Sequence, residues 1–335
     1  MKILYPDYCQ RFSCLGGSCP DSCCKAWEIC IDPDTVSFYH GVKGELGERL
    51  RSALAVDEDG DAYFPLVKGC CPFLDPDGLC EIHRSLGEAA TSGVCRQFPY
   101  FIEEYEGFTE KCPSLSCPAA AELVLTEPLT EDVYPVPPGS PDPLLDLLAR
   151  GRTAALAAAA RYDFPESAAR IRAMARDLQE IADDFDPGNV AYDFDAVLTD
   201  AAYADGAEEF ARWLTELTER CLNFLRTDAE ILTEEWRGLL ETALTQPEPV
   251  AVLPTEQKAV ERALRYFLYR CFLKPVNDGE VVLWTLFILL SVAVCVAVAD
   301  RTGTDFRRIA RLYSKEIEHD TENVEALLVF LSVEF

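Results

Sequence analysis

The placement of cysteine constrains this chain more than any other feature of its sequence. Twelve of the fifteen cysteines lie within the first 117 residues, and only three follow. The spacing runs Cys14-x4-Cys19-x3-Cys23-Cys24, then Cys71-Pro-Phe-Leu, Gly-Leu-Cys80, Cys95-Arg-Gln-Phe-Pro and Ser-Cys117-Pro. Thiols that share a metal must lie close together, and short spacings on a turn achieve this. The N-terminal third is therefore built around sulfur, as disulfides, a zinc site or an iron–sulfur cluster.

The first residues argue against disulfides. They read MKILYPDYC, with Pro6 and Asp7 where a secretory signal sequence has an apolar run. A cytoplasmic chain keeps its thiols reduced, and clustered cysteines there more often bind metal or take part in catalysis. An odd number of cysteines would also leave one unpaired. We therefore expect a cytoplasmic protein whose cysteines bind metal.

The spacing favours an iron–sulfur cluster or an unusual zinc site over a zinc ribbon. Zinc ribbons usually present two CxxC pairs, and this sequence contains none. The CxxxCxxC signature of radical S-adenosylmethionine enzymes is also absent, because Cys23 is followed at once by Cys24 and residue 26 is Ala. The longer, uneven gaps between these cysteines fit an iron–sulfur cluster or an unusual zinc site better.

Residues for other kinds of chemistry are sparse. His83 lies three residues after Cys80 and is a possible ligand, although a surface residue at the start of a helix is the commoner interpretation. His40 and His319 are predicted at the surface. No glycine-rich dinucleotide motif, P-loop, HExxH or GxSxG occurs, so a Rossmann-type nucleotide site has no support.

Proline separates the cysteine-rich part from the rest of the chain. Residues 128–143 read PLTEDVYPVPPGSPDP, with six prolines in sixteen residues. Proline at this density removes backbone donors and excludes helix, which predicts an extended linker. We predict a cysteine-rich metal or iron–sulfur domain in 1–127, a linker in 128–143 and an all-helical domain in 144–335.

Apolar residues after the linker recur with helical spacing. Phe210, Leu214, Leu217 and Cys221 fall on one stripe, for example. Such patterns predict helices over 144–160, from 164 onwards, 206–226, 229–244, 255–273, 280–299, 304–318 and 321–333. The predicted fold is mainly α: an irregular cysteine-rich N-terminal domain followed by an all-α helical bundle.

One predicted helix is apolar enough to raise the question of a membrane span. Residues 281–299 contain no charge over nineteen positions. The flanking residues are mostly acidic, so the basic bias that orients a membrane helix is weak. A helix that is hydrophobic all round can also form the centre of a bundle. We predict a buried core helix and no membrane partner.

The formal net charge of −28 limits the partners of the chain. Phosphate contacts need Lys and Arg, so nucleic acid and anionic membrane surfaces are unlikely partners. A basic protein partner is compatible with this charge, although solubility alone would also explain it.

The chain resembles the flagellin lysine-N-methylase family, which belongs to a wider group with a Cys-x3-Cys-Cys metal-chelating domain. The residues that carry the resemblance are Tyr8, Phe12, Cys14, Cys19, Cys23-Cys24, Trp27, Asp32, Cys71-Pro-Phe-Leu74, Gly78-Leu-Cys80, Leu86-Gly-Glu88, Cys95-Arg96-Gln-Phe98-Pro99 and Ser116-Cys117-Pro118. A looser likeness runs through Tyr266-Phe-Leu-Tyr269-Arg270 and Asp278-Gly279-Glu280. The N-terminal likeness is specific, because many unusual spacings agree together.

The resemblance implies an enzyme that methylates the ε-amine of flagellin lysines. It implies S-adenosylmethionine as the methyl donor and an iron–sulfur cluster, expected to be 4Fe–4S, held by cysteines. We assign no catalytic residue from the sequence. The alternative is a non-catalytic zinc-binding module attached to a helical protein-interaction domain.

Eight cysteines match the family pattern, whereas one 4Fe–4S cluster needs four. The first choice is Cys19, Cys23, Cys80 and Cys95, because the first two share a turn and the last two flank a short helix. Next come Cys24, Cys71, Cys14 and Cys117, as alternates or as ligands to a second metal. Arg96 is expected to place a charge near the cluster or to bind an anionic ligand, or else to form an ordinary surface salt bridge. Four further cysteines are predicted to be incidental: Cys9, Cys30, Cys70 and Cys112.

Overall fold

A computed structural model describes residues 2–126, 134–137, 139–184, 191–246 and 254–334. In this part of the chain the strands are β1 (Lys2–Leu4), β2 (Ile29–Cys30), β3 (Ala55–Val56), β4 (Ala62–Phe64), β5 (Tyr100–Tyr105) and β6 (Phe108–Pro113). The α-helices there are α1 (Pro33–Gly41), α2 (Gly44–Ala53), α3 (Glu81–Leu86), α4 (Gly93–Gln97), α5 (Pro118–Leu125), α6 (Pro143–Arg161), α7 (Phe164–Asp183), α8 (Ala196–Thr199), α9 (Ala207–Thr227), α10 (Glu234–Thr245), α11 (Pro254–Cys271), α12 (Val281–Thr302), α13 (Phe306–Tyr313) and α14 (Thr321–Val333).

The prediction of a mainly α fold is confirmed, since 63% of the structure is helical. The cysteine-rich part is less irregular than expected, because it contains short strands. β2, β4 and β3 form an antiparallel sheet in which Ile29 lies opposite Phe64 and Ala55 lies opposite Tyr63. Strands of two or three residues are too short to show an alternating pattern in the sequence.

The chain divides into two compact units. The smaller unit comprises Phe12–Phe101 and Cys117–Ala120, and the larger comprises Met1–Arg11, Ile102–Ser116 and Ala121–Phe335. The predicted linker, 128–143, falls partly on residues 127–133 and 138, which lie outside the described residues. The predicted domain limits therefore stay a prediction.

Helices of the larger unit begin where the sequence supplies capping residues. Asp142 accepts the N–H groups of Leu144 and Leu145 at the start of α6. Asp163 accepts the N–H of Glu166 at the start of α7. Both helices carry proline in the first turn, where its missing N–H is not needed. These local signals explain why the starts of α6 and α7 agree with the sequence pattern.

Two predicted helices have different limits in the structure. α10 begins at Glu234 rather than at residue 229, because Thr233 caps it and its Oγ1 accepts the N–H of Trp236 at 3.2 Å. The helix predicted over 304–318 is α13 followed by a π-helical turn, Ser314–Glu318. Such turns are frequent at functional sites.

α12 is the central helix of the larger unit. It packs against α7, α9, α10, α11, α13 and α14. Its length and composition would allow it to cross a membrane, but 78% of its most apolar 18-residue window is buried inside the protein. This burial agrees with the core helix predicted for residues 281–299.

A buried ion pair joins α6 to the three-stranded sheet β1-β6-β5. Arg152 Nη2 and Nη1 lie 2.5 Å and 2.7 Å from Oε1 and Oε2 of Glu110. Arg152 is 1% exposed and Glu110 4%. Arg152 Nη1 also donates to the carbonyl oxygen of Tyr269 at 3.0 Å, and its guanidinium carbon lies 4.7 Å from the centre of that ring. β1 pairs with β6 in parallel, with Leu4 opposite Glu110.

The smaller unit has its own apolar core. Tyr39 and Phe64 stack with ring centres 5.9 Å apart, and Phe64 lies 4.8 Å from Phe73. Ile31 and Ile82 are buried in the same cluster. Aromatic packing of this kind lets a unit with short helices and strands hold its loops in place.

Candidate metal centre

All eight candidate cysteines lie in the smaller unit, where two glycine-containing loops meet. In the loop from Cys14 to Cys19, a Cβ on Gly17 would lie 2.5 Å from the carbonyl oxygen of Asp77. Gly78 has a φ of +75°, and a Cβ there would lie 3.3 Å from the Gly17 carbonyl oxygen. Only glycine allows backbones to approach this closely. The contact fixes the Cys14–Cys19 loop against the turn that leads into Cys80.

Backbone pairing brings Cys24 and Cys71 together. The N–H of Cys71 donates to the carbonyl oxygen of Cys24 at 2.8 Å. Lys25 forms an antiparallel bridge with Cys70, the neighbour of Cys71. Ala26, whose φ is +76°, donates its N–H to the carbonyl oxygen of Gly69 at 3.0 Å. Two cysteines that are distant in sequence thus become neighbours.

Helix starts position Cys80 and Cys95. Cys80 is the N-cap of α3, and its Sγ accepts the N–H of His83 at 3.5 Å. Cys95 lies in the first turn of α4, where the Oγ of Ser92 accepts its N–H at 3.3 Å. The hydrogen bonds at these helix starts lower the pKa of both thiols, although burial outweighs them.

Asp32 links the start of α1 to the start of α4. Its Oδ1 accepts the N–H of Thr35 at 3.0 Å, and its Oδ2 accepts the N–H of Gly93 at 2.7 Å. The hydrogen bond from Gly93, followed by those from Thr35, lowers the pKa of Asp32. This carboxylate therefore helps to place α4, and with it Cys95.

Four thiols form a first group: Cys24, Cys71, Cys80 and Cys95. Burial raises the pKa of Cys71, Cys80 and Cys95, and negative charge on Cys24 raises each of them further. For Cys71 the result is a pKa of about 12. Cys80 and Cys95 raise the pKa of Cys71 in the same way. The four sulfurs thus lie within electrostatic range of one another.

The adjacent residues Cys23 and Cys24 are hydrogen-bonded through their thiols. This bond lowers the pKa of Cys24 to about 7, against the effect of burial and with help from the hydroxyl of Ser22. The same bond and burial raise the pKa of Cys23, as do charges on Cys24, Cys95 and Cys14. Cys24 is therefore the thiol that ionises most easily in this pair.

A second group consists of Cys14, Cys19 and Cys117. Burial raises the pKa of Cys117, and charges on Cys19 and Cys14 raise it further. The N–H groups of Ala120 and Ala119, in the first turn of α5, lower it in turn. Because a charge on Cys14 also raises the pKa of Cys23, the second group lies within electrostatic range of that residue.

The donor chemistry of the first group fits an iron–sulfur cluster, although no closed metal site is formed. Within the described ranges, no three His, Cys, Asp or Glu side chains converge in a geometry that would hold a metal ion. Four thiols within electrostatic range of one another, one with a pKa of about 7, are of the ligand type that such clusters use. The first-choice set from the sequence is divided, because Cys19 lies with the second group. The identity of the metal ligands stays a prediction.

The surroundings of Arg96 and His83 differ from those expected of residues that bind a metal or cofactor. The Arg96 guanidinium donates to the carbonyl oxygen of Thr91 and, at 3.3 Å, to that of Ala89. It therefore braces the segment before α4, and cofactor binding by Arg96 stays a prediction. His83 is exposed, which agrees with the commoner interpretation of that residue.

His319, which the sequence predicts at the surface, is half-buried. In the larger unit its Nε2 lies 2.7 Å from the Oγ of Ser114 and 3.1 Å from the Oγ of Ser116. Burial, with a smaller contribution from the charge of Arg270, lowers the pKa of His319 to about 4. The imidazole is therefore neutral at physiological pH. The acidic residues beside it in the sequence gave no sign of this burial.

Among the cysteines predicted to be incidental, Cys112 has a tyrosine partner in the larger unit. Its Sγ lies 3.8 Å from the hydroxyl of Tyr8, and both residues are buried. Burial and neighbouring charges raise the pKa of both groups. The sequence signal for this contact was Tyr8 itself, which matches the family pattern.

The fold and these cysteines define a mainly helical protein with a cysteine-rich candidate metal centre, and comparison with known proteins adds a family. Over 134 residues the chain is 32% identical to the flagellar biosynthetic protein FliU of Salmonella muenchen, covering 79% of that protein and 38% of this chain. The chain belongs to the family of this protein.

Two longer relatives carry a more specific name. The lysine-N-methylases of Salmonella typhimurium and Salmonella choleraesuis are 33% and 32% identical to the chain over 134 residues. The match covers 38% of this chain and 33% of each of those proteins, so it spans about a third of their length. No family model matches the chain, and no solved structure matches it significantly.

Proposed function

We propose that this protein is an S-adenosylmethionine-dependent protein-lysine N-methyltransferase that acts on a flagellar protein, with flagellin as the expected substrate. The observation that carries the proposal is the similarity over 134 residues to two proteins named lysine-N-methylase. The name of a third relative, a flagellar biosynthetic protein, supports a flagellar substrate.

The charge of the chain suits a lysine-rich substrate. With 58 acidic and 30 basic side chains, the protein attracts basic surfaces at long range before contact. Methyl transfer then requires the neutral form of the lysine amine, which desolvation on docking favours because it lowers the pKa of an ammonium group. These two requirements act in sequence, first attraction and then loss of the proton.

We further propose that the first group of cysteines holds an iron–sulfur cluster, expected to be 4Fe–4S. Cys24, Cys71, Cys80 and Cys95 would supply four thiolates, the usual ligand set of such clusters. When bound through three of these thiolates, the cluster would supply one iron able to accept nitrogen or oxygen ligands, whereas ligation by all four would leave every iron with a thiolate. The hydrogen bonds at Asp32 and the pairing of Cys24 with Cys71 would hold the thiols in place before the cluster is acquired.

Metal analysis of single variants tests this ligand assignment. The full chain is purified without oxygen, and iron, sulfide and zinc are measured per chain together with the visible absorbance of sulfide-to-iron charge transfer. Cys24→Ser and Cys71→Ser are expected to lose iron, and Cys30→Ser, a control at an exposed cysteine of the same unit, is expected to keep it. Loss of iron in Cys19→Ser and Cys23→Ser, with full iron in the first two variants, would restore the set chosen from the sequence.

A methylation assay tests the reaction itself. Cluster-loaded protein is incubated with methyl-labelled S-adenosylmethionine and flagellin from the same cell, and labelled lysines are located by mass spectrometry. Transfer of label to lysine side chains supports the proposal. The absence of labelled lysine on any flagellar protein, together with one zinc and no iron per chain, would instead establish the zinc-binding interaction module.

A further inference from the structure

A cavity of about 390 Å³ lies between α7 and α9 in the larger unit. Small-ligand sites typically enclose about 300–1,000 Å³, so its size suits a small molecule. Four charged residues line it: Arg172 and Arg176 from α7, and Asp205 and Glu209 around the start of α9. A cavity with two groups of each sign suits a ligand that carries both charges.

The two arginines form a cationic pair in an otherwise acidic chain. The guanidinium carbon of Arg172 lies 4.6 Å from the ring centre of Phe210 and 5.6 Å from that of Trp213. Its Nε is buried and has no hydrogen-bond partner among the residues that the structure describes. Burial and the like charge of Arg176 lower the pKa of Arg172, and the opposite charge of Glu209 offsets part of this effect. An anionic group between the two guanidinium groups would relieve this repulsion.

The start of α9 adds backbone donors to the same cavity. Gly206, with a φ of +76°, is the N-cap and lines the cavity, and no described side chain caps the helix. The N–H groups of the first turn of this 21-residue helix are therefore open to an acceptor. A carboxylate is favoured at such a position by the helix dipole as well.

The acidic residues make the cavity unsuitable for a simple anion. Asp205 and Glu209 are both exposed and line the cavity beside the arginines. They would repel a phosphate dianion, whereas they would attract an ammonium group placed near a carboxylate. An α-amino acid carries these two groups two bonds apart on a single carbon atom.

Hydrogen bonds fasten the segment before α9 to α7, the helix that supplies the two arginines of the cavity. Asp177 Oδ2 accepts the hydroxyls of Tyr192 and Tyr203 at 2.8 Å and 3.0 Å. Arg170 Nη1 donates to the carbonyl oxygen of Asp200 at 3.0 Å. The segment before α9 is thus fastened to α7 at two points, so the charged groups are positioned before a ligand arrives.

We propose that this cavity binds the zwitterionic head of an amino acid, with its carboxylate on Arg172 and Arg176 and its ammonium group at Asp205 and Glu209. The aromatic wall that carries Trp213 offers a face for an apolar or cationic remainder. Two sources share this chemistry. One is S-adenosylmethionine, in which case the site rests on the proposed methyltransferase function, and the other is a free amino acid, in which case it does not.

Calorimetric titration of the full chain distinguishes these sources. The ligands are S-adenosylmethionine, L-methionine and L-lysine, with decarboxylated S-adenosylmethionine, 3-(methylthio)propylamine and cadaverine as matched ligands that lack only the carboxylate, and inorganic phosphate as a simple anion. At least one zwitterion is expected to bind, and the corresponding ligand without a carboxylate is expected to bind at least about tenfold more weakly. The strongest zwitterion identifies the source.

Variants with matched controls test the residues. Arg172→Gln and Arg176→Gln are each expected to weaken zwitterion binding by about tenfold or more. Arg212→Gln, at an exposed arginine of α9 outside the cavity lining, should leave binding unchanged. Glu209→Gln should weaken it, whereas Glu208→Gln, an exposed neighbour outside the lining, should not.

Several results would overturn the inference: no zwitterion binds, phosphate binds as tightly as the zwitterions, or both arginine variants bind like the unaltered chain. The proposed function fails separately. If zwitterion binding depends on the arginines but no lysine is ever methylated, the cavity assignment stands and the methyltransferase does not. If lysine is methylated while both arginine variants bind every tested zwitterion as the unaltered chain does, the function stands and the cavity assignment does not.

Discussion

Replacement of Glu110 by Gln is expected to destabilise the larger unit by about 3–5 kcal/mol, although it changes little in size or shape. Arg152 cannot lose its proton in a protein, so the variant must keep a full positive charge in the core. That side chain is 1% exposed, and its remaining acceptors would be a neutral amide oxygen and the carbonyl oxygen of Tyr269 at 3.0 Å.

The magnitude follows from what the pair does in the native protein. Two hydrogen bonds, of 2.5 Å and 2.7 Å, neutralise the guanidinium group where water cannot reach it. Removing one partner of such a pair leaves the desolvation cost of the other uncompensated, which is why the expected loss exceeds that of an ordinary hydrogen bond. The double variant Glu110→Gln with Arg152→Met should therefore lose less than the two single variants together.

Urea unfolding, followed both by far-UV circular dichroism and by tryptophan fluorescence, measures the free energy of unfolding. Both probes are needed because two compact units can unfold separately, and the transition of the larger unit must be identified. Glu235→Gln is the control, since Arg308 and Glu235 form an ion pair in the same unit with side chains 58% and 39% exposed. Its loss should be about 1 kcal/mol or less.

Two outcomes would refute this reasoning about the buried pair. One is a loss of less than about 1 kcal/mol in Glu110→Gln, which would mean that the guanidinium group is solvated or relocates at little cost. The other is additivity of the two single variants, which would mean that the side chains do not act as a pair.

Three further predictions concern the pH dependence of stability, the contact between the two loops that carry Gly17 and Asp77, and the N-cap of α1. Burial lowers the pKa of His319 to about 4, so its contribution to the free energy of unfolding is fully present only above the pKa of a histidine in the unfolded chain. That contribution is expected to fall by about 2 kcal/mol between about pH 7 and about pH 5. Urea unfolding of His319→Gln should not show this loss. Gly17→Ala should lower the melting temperature and the iron content, because its Cβ would meet a carbonyl oxygen at 2.5 Å, whereas Gly41→Ala, which meets open space, should change neither. Asp32→Ala should cost about 1–2 kcal/mol by removing a helix cap, and hydrogen exchange should show the N–H of Gly93 losing its protection.

The helices of the larger unit were predictable because their signals are local. Phe210, Leu214, Leu217 and Cys221 repeat with helical spacing, and all four are buried in α9. Helix starts such as Asp163 follow from a single capping residue and a following proline. None of these features depends on which other part of the chain packs against the helix.

The sheets were missed because their strands are short and their partners distant. β1 contains three residues and pairs with β6, which lies about a hundred positions later. Nothing in Lys2–Leu4 specifies such a partner. The same reason explains why the contacts of His319 were missed, since Ser114 and Ser116 lie about two hundred positions earlier in the chain.

The sequence predicted which cysteines belong to the candidate metal centre, but it did not predict how they are grouped in space. The spacings identified eight cysteines, but the grouping depends on tertiary contacts. The pairing of Cys24 with Cys71 and the close approach of Gly17 to Asp77 are tertiary contacts that no spacing reveals. Sequence reasoning chose Cys19 and Cys23 because they share a turn, and Cys80 and Cys95 because they flank a short helix.

The discontinuity of the smaller unit has a consequence for protein synthesis. Seven of the eight candidate cysteines precede residue 96, but the unit also includes Cys117–Ala120, which follow the β5–β6 segment. At a translation rate of about 5–20 residues per second, Cys117 leaves the ribosome about one to four seconds after Cys95. During that interval the first group of cysteines is complete and the second is not. Iron delivered to the nascent chain would therefore encounter Cys24, Cys71, Cys80 and Cys95 first, so the order of synthesis itself favours loading of that group.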